Sequence, residues 1–156
     1  MKWTTILSLW LGIACAACAG TNGTLNSTAI GETECLDDLL DGHIRLRAWG
    51  NGLNQLDATQ MAQKSAVRDV LFKGVTTGKS NCQLPPVLPA PNVREKNADF
   101  FEAFFRDGGD YKKYVQVEKV AGLYRIAGSK QFAAKVQVRV ALSTLRKDMQ
   151  TLKTGK

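Results

Sequence analysis

Three kinds of side chain in this chain have types and spacing that point to chemistry, and the first is a thiol at the end of a leader. Behind Lys2 runs an apolar stretch, residues 3–13, followed by Ala14-Cys15-Ala16-Ala17-Cys18 and then the polar Ala19-Gly20-Thr21-Asn22-Gly23. That layout is a secretory signal, and Cys18 after two alanines is where a bacterial lipoprotein signal carries its diacylated cysteine. Cys15 occupies the position where that motif usually has leucine, and cleavage after Ala19 is the alternative, which gives a soluble secreted chain. The apolar run falls well short of the ~20 residues that cross a bilayer as a helix, so it serves export. With Cys15 lost in the leader and Cys18 acylated, Cys35 and Cys82 remain as one even pair, as an oxidising compartment would use. A Cys35–Cys82 disulfide is expected. The competing readings are two buried thiols or a metal site, and no CxxC or histidine pair accompanies the cysteines to favour a metal.

The second candidate is Gly74-Val75-Thr76-Thr77-Gly78-Lys79-Ser80, whose Gly-Lys-Ser ending is the part of a phosphate loop that serves nucleotide phosphates and magnesium. Its glycines are separated by three residues where four are required. It also follows a predicted helix instead of a strand, and Asn81-Cys82-Gln83-Leu84-Pro85-Pro86 cannot open the expected helix. No nucleotide or other cofactor is expected.

The third kind is acid–base groups. His43 is the only histidine and has no serine or cysteine motif attached. Asp37, Asp38, Asp41, Glu102 and Asp110 are the source of any carboxylate pair for glycan hydrolysis, yet carboxylates are ordinary surface residues. No catalytic residue is assigned, a non-enzyme is expected, and a carboxylate-based cell-wall hydrolase stands last among the alternatives.

These groups sit in a chain of 156 residues with a net charge of +7. Residues 1–17 read as the signal peptide. The remaining 139 residues carry 20 basic and 14 acidic side chains, enough length for one domain with a real core. The charge is polarised: Glu32, Glu34, Asp37, Asp38 and Asp41 open the domain, whereas beyond Glu118 nine basic residues face only Asp148. Such asymmetry suits an envelope protein or an anionic envelope surface as partner, and in an exported protein it argues against nucleic acid. Residues 18–30 are polar and read as a flexible tether, with residues 31–156 as a single domain. Two triplets in that stretch match the N-glycosylation sequon, as a run of Asn, Ser and Thr does by chance.

The elements that position these groups follow from periodicity. Residues 35–40 suggest one acidic helical turn, and Ile44, Leu46 and Ala48 alternate with Arg45, Arg47 and Trp49 in a half-buried strand ended by Gly50-Asn51-Gly52. Asp57 reads as an N-cap with Gln60 three residues on and Leu56 as the staple. The helix stripe is Ala58, Met61, Ala62, Ala66, Val67, Val70 and Leu71, with Gln63, Lys64, Arg68 and Asp69 facing out. All four prolines fall in the loop at residues 84–93. Asn97 is a cap for a short helix in which Phe100, Phe101, Phe104 and Phe105 form a broad aromatic face, wide enough to leave one edge for a partner. A long hairpin turns at Gly128-Ser129 and carries basic residues outward, and Ser143 starts a short terminal helix. The order gives an α+β fold: a small antiparallel sheet with a long C-terminal hairpin, helices packed on one face and a short terminal helix.

Across residues 44–149 the chain resembles the N-terminal domain of flagellar assembly protein T and related small envelope lipoproteins. The resemblance rests on Gly50 and Gly52 after the first strand, Ala58, Ala62 and Ala66 along the helix, and Tyr111 and Tyr114 entering the hairpin. It is completed by Val136-Gln137-Val138-Arg139-Val140 followed by Leu142 and Leu145. It implies a structural or assembly role in the envelope. The expectation is an exported, lipid-anchored binding or assembly module at the outer membrane, on its periplasmic or surface face. Its membrane contact is made through the lipid anchor. Partner contact is expected at Lys135, Arg139, Arg146 and Lys147, with the Phe100, Phe101, Phe104 and Phe105 face as the second surface. A carrier of an apolar ligand is the alternative.

Overall fold

A computed structural model describes residues 22–26 and 30–153; the leader, Cys18 and the rest of the stretch read as a tether lie outside the described residues. Within them the fold is α+β, as expected. Six strands, β1 (Asn22–Leu25), β2 (Glu34–Asp38), β3 (Ile44–Gly52), β4 (Thr77–Gly78), β5 (Val115–Ile126) and β6 (Phe132–Val140), form one sheet in the order β1-β5-β6-β3-β2-β4. The sheet is larger than expected and mixed: β5, β6, β3 and β2 are antiparallel, while β1 and β4 join the two edges in parallel. The helices are α1 (Gln55–Arg68), α2 (Val93–Lys96), α3 (Ala98–Phe105), α4 (Leu142–Asp148) and α5 (Gln150–Lys153).

The period-two pattern puts Ile44, Leu46 and Ala48 of β3 and Val136, Val138 and Val140 of β6 on the covered face. Each large apolar side chain buried there contributes about 1.5–3 kcal/mol. Helix α1 lies on this face through Ala58, Ala62 and Ala66, all fully buried. Opposite them β3 offers Gly50 and Gly52. A Cβ at Gly50 would meet the backbone of Ala58, Met61 and Ala62 well under 3.0 Å away, so helix and strand pack backbone to backbone.

Several local expectations are corrected by tertiary context. Residues 34–38 are a strand and not a helical turn, because Asp37 and Glu34 pair with Arg45 and Arg47 across β3. Residues 22–25, part of the stretch read as a tether, form β1 against β5. Asn54, not Asp57, caps α1: its side chain accepts from the Asp57 amide at 2.9 Å, and Leu56 is exposed in the first turn. Asn97 precedes α3, but its side-chain amide donates back to the Val93 carbonyl at 2.8 Å and so closes α2. Ala141 starts α4, and the Ser143 amide donates to the Gly42 carbonyl at 3.0 Å.

After Arg68 the helix widens into a π-turn, Asp69–Lys73, ended by Gly74 at φ 79°. The wider winding leaves the Val70 and Leu71 carbonyls to accept from Val87 and Leu88 at 3.0 and 2.8 Å. The proline loop is thereby docked by backbone hydrogen bonds, with Val87 and Leu88 buried. Cys35 in β2 and Cys82, with Cα atoms 5.9 Å apart, are disulfide-bonded. The two cysteines are 47 residues apart in sequence, and closing a loop of that length is worth roughly 4 kcal/mol in the chain-entropy model.

Two outcomes are expected. Gly50→Ala should destabilise the fold by about 3 kcal/mol, because the new methyl can be seated only by lifting α1; urea unfolding with an unchanged m-value reads it. Burial first, and then the hydrogen bond it donates to Asp148 at 2.8 Å, push the Tyr114 hydroxyl up to about 12 from its ordinary 10.0. The stability linked to this group is therefore complete below pH 10 and lost as pH rises towards 12. Tyr114→Phe should remove that part of the alkaline decline and cost about 1 kcal/mol at neutral pH, measured by unfolding across the pH series.

Candidate functional site

Because α1 is held so low on the sheet, its flank bearing Met61, Lys64 and Arg68 overhangs one side of the domain. These residues recur at three and four, as a helix face requires. Facing them, α3 presents Phe101 and Phe105 four residues apart. Between the two helices runs an open groove of about 750 Å³, bordered by Arg94 and Glu95 of α2 and by Arg106 and Asp107 after α3.

The floor is Phe101 and Phe105, backed by further aromatic rings. Phe72 of the π-turn meets Phe101 edge-on at 4.9 Å between ring centroids, Phe104 meets Phe105 at 4.8 Å, and Phe105 stacks on Tyr111 at 6.1 Å. Phe101 and Phe104 are buried, Phe105 is half-buried, and Phe100 is 42% exposed at the outer edge of the cluster. The phenylalanine face thus divides between core and surface: Phe101 and Phe104 anchor α3, Phe101 and Phe105 line the groove, and Phe100 stacks on Phe104 outside it.

The rim is charged in both senses. Lys64 donates to Asp107 at 2.7 Å while its ammonium lies 5.7 Å from the centre of the Tyr111 ring. That hydrogen bond, with the attraction of the ammonium, holds the Asp107 carboxyl below its usual range. Arg68, Arg94 and Arg106 have no carboxylate within ion-pair distance among the described residues. A second hollow of about 540 Å³ adjoins the first and shares Arg68, Arg94 and Glu95 with it, with Phe72, Pro89 and Pro91 on its walls. The proline loop and the phenylalanine helix thus border one continuous trough. Guanidinium groups beside an aromatic floor can hold carboxylates at the rim and an apolar side chain between them.

The residues anticipated from sequence are distributed differently. Lys135 and Arg139 lie on the uncovered sheet face, alternating with the buried valines of the covered one. The Lys135 ammonium rests 5.2 Å from the Trp49 ring centre, and Arg139 is ion-paired with Asp41. Arg146 and Lys147 are exposed on α4, a separate element. Most charges on that sheet face answer one another: Arg45 with Glu118 at 2.6 Å and Arg47 with Glu34 at 3.0 Å.

The carboxylates considered for hydrolysis are scattered. Asp37 lies between Arg45 and Lys79, Asp38 caps the Leu40 amide, and Asp41 accepts from His43. Asp110 pairs with Lys113, and Glu102 alone reaches the groove. Gly78 of the phosphate-loop-like segment packs on the Cys35 backbone in β4, an edge-strand role. Among the described residues no cluster of three metal-ligating side chains is assembled, and no helix is long and apolar enough to cross a membrane.

Arg68, Arg94 and Arg106 were not singled out by their spacing. The available signal was the position of Arg94 and Arg106 on either side of the phenylalanine cluster. No family model matches the chain, and no curated protein or solved structure matches it.

Proposed function

We propose that this chain is an exported, lipid-anchored module of the bacterial envelope that works by binding and not by catalysis. Its site is the groove between α1 and α3, and its occupant is an acidic segment of a partner protein carrying an apolar anchor side chain. The observation that carries this reading is the trio Arg68, Arg94 and Arg106, without carboxylate partners among the described residues, around a floor of Phe101 and Phe105. Apolar anchors in a hollow with charged groups at the rim are the common pattern of protein recognition.

Glu95, Glu102 and Asp107 on the same rim would repel a dense anionic surface, whereas a peptide places its carboxylates one at a time. An acyl-chain carrier needs an enclosed cavity, and here the rim residues Arg94, Glu95, Glu102 and Asp107 are all exposed. The disulfide suits an oxidising compartment. In this reading Lys135, Arg139, Arg146 and Lys147 contribute to the field that draws an acidic partner in, while the groove supplies the contact.

A photoreactive benzoyl-phenylalanine at Glu102, activated in intact cells, should attach to a protein segment in which carboxylates flank an apolar residue, identified by mass spectrometry of the adduct. Reversing Arg68, Arg94 and Arg106 to glutamate should lower the adduct yield about tenfold, equivalent to ~1.4 kcal/mol spread over three exposed charges. An adduct unchanged by the triple reversal, or one whose mass is that of a lipid, would overturn the reading.

A further inference from the structure

Among the described residues the twelve residues of β5 are only partly paired on their outer side, where β1 is in register with Leu123 to Ile126. Residues 116–121 have β6 on one side and no strand on the other among the described residues, and all are exposed. Val117 and Val120 present 38% and 41% of their surface, with Lys119 and Glu118, whose charge is answered by Arg45, between them and Lys112 just before the strand. Register shifts at Val117/Lys119 and Val120/Gly122 bend this edge, which opposes the addition of another strand.

β1 runs parallel to β5 with Asn22 opposite Leu123, so the chain enters β1 from the side of this free edge. Three residues, 19–21, separate Asn22 from Cys18. Four Cα steps reach at most about 14 Å when fully extended. The long spacer read from the sequence is thereby reduced to a short one, since β1 takes up residues 22–25.

We propose that the free edge of β5, with Val117, Lys119 and Val120, lies against an anionic bilayer, held there by acylated Cys18 and its three-residue spacer. This rests on the reading of Cys18 as the lipid anchor, and it fixes an orientation that the anchor alone does not. The two valines meet the interface, Lys112 and Lys119 meet anionic headgroups, and β4, four strands away or about 19 Å, stands off the surface.

The test uses the full acylated chain in vesicles of phosphatidylethanolamine and phosphatidylglycerol with brominated acyl chains. Trp3 and Trp10 precede Cys18 and leave with the leader, so a Trp49→Phe background holds no other tryptophan. Val120→Trp and Lys79→Trp are introduced separately. Quenching at position 120 should exceed that at 79 by about threefold, since bromine in the acyl region reaches only interfacial rings. Inserting a Gly/Ser linker of about ten residues after Gly20, with an r.m.s. span of about 17 Å, should remove the difference. An acyl mass on the Cys18 peptide and flotation with the vesicles, together with equal quenching at the two positions or stronger quenching at 79, overturns the proposed orientation and leaves the anchor intact. A Cys18 peptide without acyl mass overturns the anchor reading and the orientation with it.

Discussion

The seating of α1 on β3 is the constraint on which the rest of the molecule depends. Gly50 and Gly52 remove the side chains that would hold the helix away, and Ala58, Ala62 and Ala66 bring its backbone down onto the strand. A helix so low turns its stripe of small residues entirely into the contact and leaves a longer flank, Met61, Lys64 and Arg68, at the margin of the sheet. The groove exists because that margin faces α3 across a gap. Dispersion and hydration both favour the close approach, and any larger group at Gly50 opposes it through backbone that cannot yield.

The second half of the site is built by the segment immediately C-terminal to α1. The π-turn at Asp69–Lys73 places Phe72 under the groove and frees two carbonyls to hold the proline loop. Thr33, a buried residue on the approach to β2, donates its hydroxyl to Asp69, and Thr77 of β4 donates to the Thr33 carbonyl at 2.8 Å. The disulfide fixes Cys82 beside the same edge. One side of the sheet, the end of α1 and the wall of the trough are thus tied together by bonds between segments distant in sequence, which suits a preformed site.

Much of this was legible in the chain. The alternation of Ile44, Leu46 and Ala48 with Arg45, Arg47 and Trp49, the hairpin around Gly128-Ser129, the cysteine pair and the proline loop are local or arithmetic signals, and each has its counterpart in the structure. The features that local patterns missed depend on partners far along the chain. Asp37 and Asp38 read as part of an acidic helical turn until Arg45 stands opposite Asp37 and Ile44 opposite Asp38 in β3, with Arg47 opposite Glu34 just before them. Asn22 and Gly23 have poor strand propensity, and with Thr24 and Leu25 they form a strand by pairing with β5. The functional residues were the least legible. Arginines are unpaired only with respect to the whole fold, and no spacing in sequence distinguishes Arg94 or Arg106 from Arg139, which has found Asp41.

The central claim is that the α1–α3 groove is a recognition site for acidic, apolar-anchored peptide. Its most direct test is an NMR titration of the isotope-labelled mature chain, with Cys18→Ser for solubility, against a peptide of alternating glutamate and leucine. The account predicts saturable shifts concentrated on the side chains of Met61, Phe101 and Phe105 and the Nε groups of Arg68, Arg94 and Arg106, shrinking as salt is raised because the rim charges are exposed. Shifts centred on Trp49, Lys135 and Gln137 of the uncovered sheet face, or a groove that stays silent at saturating peptide, would contradict it.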